Sequence, residues 1–252
     1  MREAFTYMFK DNCFGKKVLM YLTISFIASL FISYSQINTC AGMCPIASKP
    51  TVNPVDSITP IVFQIIGILI NMIIVGYFFT AIKAISSQSN NIILPFFSIK
   101  NNFVKGFKFN LVMFATIIIY SFAFGLLQSF YNTYIFAKIS LGILLLFYTI
   151  SGSAFVWFFA QEEKFTTFFN FKKVLTLISR NVKKYIKFSL IIIGILLLSI
   201  ALSFTIELII ANLTNSIILA MIISTLVITI FATYINFVTM YLIAKSIKES
   251  VV

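Results

Sequence analysis

Six apolar stretches divide this chain, and none of them alternates between hydrophobic and polar positions. They are read as 17–35, 58–85, 108–130, 137–160, 188–211 and 216–244. A helix needs about 20 apolar residues to cross a hydrocarbon core of roughly 30 Å, and each stretch meets that length within a residue or so. Unbroken runs such as Leu190-Ile191-Ile192-Ile193 and Leu196-Leu197-Leu198 do not fit the alternating strands, about ten residues long, of a membrane barrel. The pattern predicts an all-α, polytopic membrane protein of six transmembrane helices forming a single integral membrane domain over 1–252.

Between the spans the periodicity changes. Over 165–185, Phe168, Phe171, Leu175, Ile178, Val182 and Tyr185 fall on one helical face, with Lys173, Thr176, Arg180, Lys183, Lys184 and Lys187 roughly opposite. A basic amphipathic helix beside a span suits the membrane interface, its apolar face among acyl chains. Lys172, Lys173, Arg180, Lys183, Lys184 and Lys187 are then candidate contacts for lipid headgroups. The same apolar face would serve equally well against the protein's own bundle. A shorter version is expected over 95–106, where Phe96, Ile99 and Phe103 share a face and Pro95 suits the first turn. A third is expected over 3–14, with Phe5, Met8 and Phe9 ahead of Gly15-Lys16-Lys17.

The even-numbered spans end alike, in Tyr77-Phe78-Phe79-Thr80-Ala81, Trp157-Phe158-Phe159-Ala160 and Tyr241-Leu242-Ile243-Ala244. Together these features suggest a threefold repeat of surface helix, span, outer loop and span, with a unit of about 80 residues. Shared membrane biophysics is the competing explanation. The outer loops around Asn132 and Asn212 are short, whereas the first, from Gln36 to Ser57, carries Pro45, Pro50 and Pro54 and resists regular structure.

Charge orients the spans. Of nineteen Lys and Arg residues, only Lys49 and Lys138 fall in or at the border of the first, third or fifth connection. The others occupy the N-terminal tail and span boundary (Arg2, Lys10, Lys16, Lys17), the second connection and its borders (Lys83, Lys100, Lys105, Lys108), the fourth connection (Lys164 to Lys187) and the C-terminus (Lys245, Lys248). Positively charged loops stay on the cytoplasmic side, so both termini are expected in the cytoplasm. A rival reading makes Ser33-Tyr34-Ser35 a signal-peptidase site, but the preceding tail is long and carries Glu3 and Asp11. The net charge of +12 is threaded between spans, so anionic lipid headgroups are the expected partners and nucleic acid is not. With 60% hydrophobic and 10% charged residues, the chain has too few charges to cover a soluble surface, which typically draws on about 25%.

Candidate chemistry is sparse. Cys40 and Cys44 lie on the side where a disulfide persists and are spaced for a small loop if their Cα atoms come within about 7 Å. A structural disulfide, two free thiols, and a redox or metal role stay open; with no histidine in the chain, zinc lacks ligands. Cys13 is expected to be reduced. Glu207 is the one carboxylate inside an apolar span, near its outer end, which fits interfacial placement, a transport role or a buried hydrogen bond. Gln64, Asn71 and Asn236 would mark a substrate path if they converged, and helix packing if they were dispersed. No nucleotide-binding loop, zinc-protease pair or nucleophile elbow occurs, so neither an enzyme nor a cofactor is expected.

Several short motifs carry a family likeness. Tyr7-x-Phe9-x-Asp11 leading to Lys16-Lys17, Gly76-Tyr77 closing span two, Leu94-Pro95 followed by Phe103, Gly106 and Lys108, and Phe165 to Leu175 resemble the prokaryotic membrane family called domain of unknown function 4013 (DUF4013). Phe97 and Ser98 stand where that family often has Trp and Asp, and the long first outer loop is a further departure. The resemblance implies an architecture and a prokaryotic inner membrane but no activity. The expected function is a non-enzymatic component that organises lipids or joins a membrane complex, with a partner membrane protein or with its own copies. The alternative is a small-molecule or lipid transporter or permease subunit.

Overall fold

The structure, a computed structural model, describes residues 11, 13–43, 54–88, 93–129, 139, 152, 154–164, 166–167, 170–180, 182–213 and 217–251. Among these, every regular element is helical: α1 (Phe14–Met43), α2 (Pro54–Ser87), α3 (Ile99–Ser129), a helical segment over 154–162, α4 (Phe171–Arg180), α5 (Val182–Leu213) and α6 (Ile217–Val251). Among the described residues, three stretches are long and apolar enough to cross a membrane: Phe14–Ser35, Ile58–Ser87 and Met221–Lys245. At 1.5 Å per residue, helices of this size run to about 45–50 Å, well beyond a hydrocarbon core of about 30 Å.

The helices depart from the expected boundaries in informative ways. α1 continues to Met43, so the first outer loop begins as helix; Gln36 to Ala41 contains neither Gly nor Pro to stop it. Pro54 opens α2, where its missing N–H costs nothing. Pro60, six residues further in, removes the bond to the Asp56 carbonyl and crowds that oxygen with its ring. The surface helix expected over 95–106 is not a separate element. Residues 93–98 are non-helical, and from Ile99 one helix runs unbroken to Ser129. Of the stretch expected as a surface helix over 3–14, residues 11 and 13 precede α1 and Phe14 begins it; 3–10 and 12 lie outside the described residues.

α2 is the hub, packed against α1, α3 and α6, while α5 packs on α6 and α4 touches both of those. Small residues permit the closest crossing. Where α2 meets α3, Gly76 faces the Asn102 carbonyl and Gly106 faces the Met72 carbonyl, so closely that a Cβ on either would overlap the oxygen. Each glycine therefore turns a Cα hydrogen toward a carbonyl of the other helix, a weak hydrogen bond typical of tight helix crossings. Gly67 plays a similar part beside Ala28 and Ile32 of α1.

The buried core lies toward one end. It comprises Tyr21 and Ala28 of α1, Ile74 to Ile85 of α2, Val112 of α3, Ala154 to Ala160, and Phe237 to Ala244 of α6. Lys16, Lys17, Lys83, Lys100, Lys105 and Lys245 lie at the same end of these helices, hereafter the basic end.

Candidate functional site

The basic end is organised around three rings, from α1, α2 and α6. Tyr21 lies 5.6 Å from Tyr77 and 5.2 Å from Phe237 between ring centroids. Phe97, from the non-helical stretch before α3, stacks on Tyr77 at 4.9 Å. Such pairs add about 0.5–1.5 kcal/mol each beyond their area. Their polar tips are used as well. The Tyr77 hydroxyl donates to the Pro95 carbonyl at 3.2 Å, and Asn236 Nδ2 donates to the Tyr21 hydroxyl at 3.3 Å.

A buried ion pair clamps the same stretch from the other side. Lys17 Nζ meets Asp11 Oδ2 at 2.8 Å with both side chains almost wholly buried, 3% and 4% exposed. The Leu94 N–H donates to Asp11 Oδ2 at 2.9 Å, the Cys13 N–H to Oδ1 at 2.9 Å, and Lys17 donates to the Leu94 carbonyl. Phe96 covers the ammonium, 4.6 Å from ring centroid to Nζ. Burial by itself would raise the Asp11 carboxyl, but the Lys17 bond and the two backbone N–H groups outweigh it and hold the group below its ordinary range. Asp11 also sits ahead of the positive end of α1, where a carboxylate is favoured.

A second group of contacts ties the helical segment 154–162 to α2, α3 and α4. Phe79, Phe109 and Phe159 form an aromatic cluster, with Phe79 4.5 Å from Phe109 and 4.9 Å from Phe159. Glu163 terminates the segment at φ 54°, in the left-handed region, while its N–H still bonds the Phe159 carbonyl. There its carboxylate reaches Lys83 at 2.9 Å and Lys105 at 3.0 Å. Burial pushes the Glu163 carboxyl up, and the two lysines more than reverse that. Next to it, Glu162 bonds Lys173 at 2.7 Å and Thr167 at 3.0 Å; the Lys173 bond is the main reason its carboxyl is held low. Gln161 donates to Ser86 at 2.6 Å.

Several of the residues that suggested a family likeness thus meet in space: Asp11, Lys17, Tyr77, Leu94 and Pro95 in one clamp, Gly76 and Gly106 at the crossing beside it. A family model described as protein of unknown function (DUF4013) matches residues 60–211, more than half of the chain. The chain belongs to the DUF4013 family. Gly76, Tyr77, Leu94, Pro95 and Gly106 lie inside the matched region, and Asp11 and Lys17 precede it. No curated protein and no solved structure matches the chain.

In this family member the amphipathic stretch 165–185 is divided. α4 ends at Arg180, and Val182 already belongs to α5. Of the face drawn through Phe168, Phe171, Leu175, Ile178, Val182 and Tyr185, only the side chains of Leu175 and Ile178 lie among the described residues. Val174 and Leu177 are buried in the core and Ile178 is half-buried, whereas Leu175 is 50% exposed. The buried side of α4 thus packs against the protein itself. Lys172 and Lys173 are exposed on α4, and Lys187 is exposed on α5 beside Ile186, Leu190 and Ile191, where a groove of ≈ 510 Å³ runs. The side chains of Arg180, Lys183 and Lys184 lie outside the described residues.

The candidate polar path is not assembled among the described residues. Gln64 and Asn71 are exposed on α2, and Asn236 is engaged by Tyr21. The side chains of Glu207 and Cys40, and all of Cys44, lie outside the described residues, so the transport and disulfide readings of those positions do too. Cys13 is a free, exposed thiol. Asp11 and Glu163 were missed as structural centres because each is an acid in a basic tail or loop. Only distant partners, Leu94 for one and Lys83 with Lys105 for the other, reveal their roles.

Proposed function

We propose that this DUF4013 protein is a non-enzymatic, multi-pass component of a prokaryotic cytoplasmic membrane that organises lipids or assembles with a partner membrane protein. In this reading the chain makes six spans in a threefold repeat of helix hairpins, with both termini in the cytoplasm. The observation that carries it is the gathering of cationic and polar groups at one packed end, while the most apolar stretches stay open. Only 11% of that stretch in α2 is buried within the protein, which leaves its surface for lipid or for another membrane helix.

The exposure of Gln64 and Asn71 favours this reading over a transporter subunit, which needs polar side chains around a mid-membrane cavity. Native mass spectrometry and pull-down from membranes test the proposal. Retained lipid or a stoichiometric membrane partner is expected; a lone monomer stripped of both would contradict it. Labelling of Cys13 by a membrane-impermeant maleimide tests the orientation: intact cells should protect it, and inverted vesicles should expose it.

A further inference from the structure

α4 begins with lysines where a helix favours acids. Its first turn holds Lys172 and Lys173 and no acidic residue, although the first turn of a helix carries partial positive charge and favours anions. Asn170 caps the helix, its Oδ1 accepting the Lys173 N–H at 3.2 Å, which leaves the amide NH2 to donate elsewhere. Lys173 is held by Glu162 at 2.7 Å, but Lys172 has no ion-pair partner among the described residues.

These three residues border a cavity of ≈ 480 Å³ together with Trp157, Phe158 and Leu177. The Trp157 indole N–H is buried and lacks a hydrogen-bond partner among the described residues. Thr176, also on the rim, spends its hydroxyl hydrogen on the Lys172 carbonyl. The lining therefore offers donors and positive charge on one side and the apolar surface of Phe158 and Leu177 on the other. A ligand that satisfies both carries acceptor oxygens, net negative charge and hydrocarbon. A zwitterionic headgroup would bring its own ammonium against Lys172, and a free phosphate would leave the apolar wall bare.

We infer that this cavity holds the phosphodiester headgroup of an anionic phospholipid. The inference rests on the membrane reading proposed above and assigns it a specific site. Lys172 and the start of α4 compensate the phosphate charge, the Asn170 amide donates to its oxygens, and Trp157, Phe158 and Leu177 line the start of the acyl chains.

Trp157 is the only tryptophan in the chain, so its fluorescence reports on the cavity directly. The whole protein is reconstituted in nanodiscs containing phosphatidylglycerol or phosphatidylcholine brominated near the glycerol end of the acyl chain. The phosphatidylglycerol should quench Trp157 more strongly at equal mole fraction. Lys172→Gln should lower that preference about fivefold, the value of one lysine at an anionic surface. Lys172→Arg should retain it, and Lys100→Gln, at an exposed lysine of α3, should leave it unchanged. Equal quenching by the two lipids, or a preference unmoved by Lys172→Gln, overturns the inference. Relief of quenching by millimolar inorganic phosphate assigns the cavity to a soluble anion and overturns it too. If the cavity fails while native mass spectrometry still finds bound lipid, the lipid-organising reading survives without this site; loss of all lipid from the unaltered protein removes both.

Discussion

The two halves of α2 are nearly alike in hydropathy and opposite in environment. From Ile58 to Leu69, Ile61, Val62, Ile65 and Ile68 are all exposed, whereas from Ile74 to Ile85 the side chains of Tyr77, Phe79, Ala81 and Ile82 are buried. α6 shows the same polarity along its length, exposed at Leu219, Ile222, Ile223, Leu226 and Val227 and buried at Val238, Met240, Tyr241 and Ala244. Lipid tails are as apolar as leucine, so hydrophobicity alone does not make two membrane helices stick. At the basic end, close glycine crossings, interlocked rings and satisfied polar groups provide the difference.

The comparison breaks most severely at the α2–α3 crossing. Gly76→Leu or Gly106→Leu would drive a side chain into a backbone carbonyl that has no room to move, and loss of the folded, monodisperse protein is expected on size exclusion. Gly125 and Gly194 have no atom within 4 Å of a Cβ position. Alanine at either should be neutral or raise stability by up to about 1 kcal/mol, by improving the helix.

Next in size is the buried clamp. Asp11→Ala leaves the Lys17 ammonium uncompensated and the Leu94 N–H without its acceptor, and should cost about 3–5 kcal/mol in equilibrium unfolding from mixed micelles. The exposed Glu162–Lys173 pair provides the contrast: Glu162→Gln should cost no more than about 1 kcal/mol. Acid tests the clamp without mutation. The folded carboxyls of Asp11, Glu162 and Glu163 lie below their ordinary values, so their stabilisation is complete above those values and is lost as pH falls through the lower folded ones. Unfolding midpoints should be flat from pH 7 to 5 and fall below about pH 4; in Asp11→Ala the fall should be shallower.

Smaller effects sharpen the same contrast. Glu163→Gly relaxes a left-handed backbone, worth about 1–2 kcal/mol, but removes contacts to Lys83 and Lys105, so the net change should be under about 1 kcal/mol. Glu163→Ala, which keeps the strain and loses the contacts, should be clearly worse in the same assay. Gln64→Leu and Asn71→Leu, at exposed positions of α2, should each shift stability by no more than about 0.6 kcal/mol.

Much of this fold was legible in the chain. Apolar length and charge segregation identify helices fit to cross a membrane, because burial in hydrocarbon imposes both. The start of α3 was less legible, since Phe96, Ile99 and Phe103 share a helical face whether or not a helix begins there. The actual start follows from Leu94 and Pro95 being held outside the helix by bonds to Asp11, Lys17 and Tyr77. The face of α4 was misplaced because apolar residues stand at 174, 175, 177 and 178 alike, and periodicity alone does not say that Val174 and Leu177 turn inward while Leu175 stays exposed. Asp11 could have been suspected from its spacing to Lys16 and Lys17, but its partner at Leu94 is 83 positions away.

Two phenylalanines test the contrast between the ends most directly. Phe79 is 2% exposed among Phe109 and Phe159 at the basic end, and Phe122 is 70% exposed in the far half of α3. Unfolding free energies of Phe79→Ala and Phe122→Ala, measured in the same mixed micelles, should differ widely. About 3–5 kcal/mol is expected for Phe79→Ala, and under about 1 kcal/mol for Phe122→Ala. Similar losses at the two sites would contradict a core concentrated at the basic end.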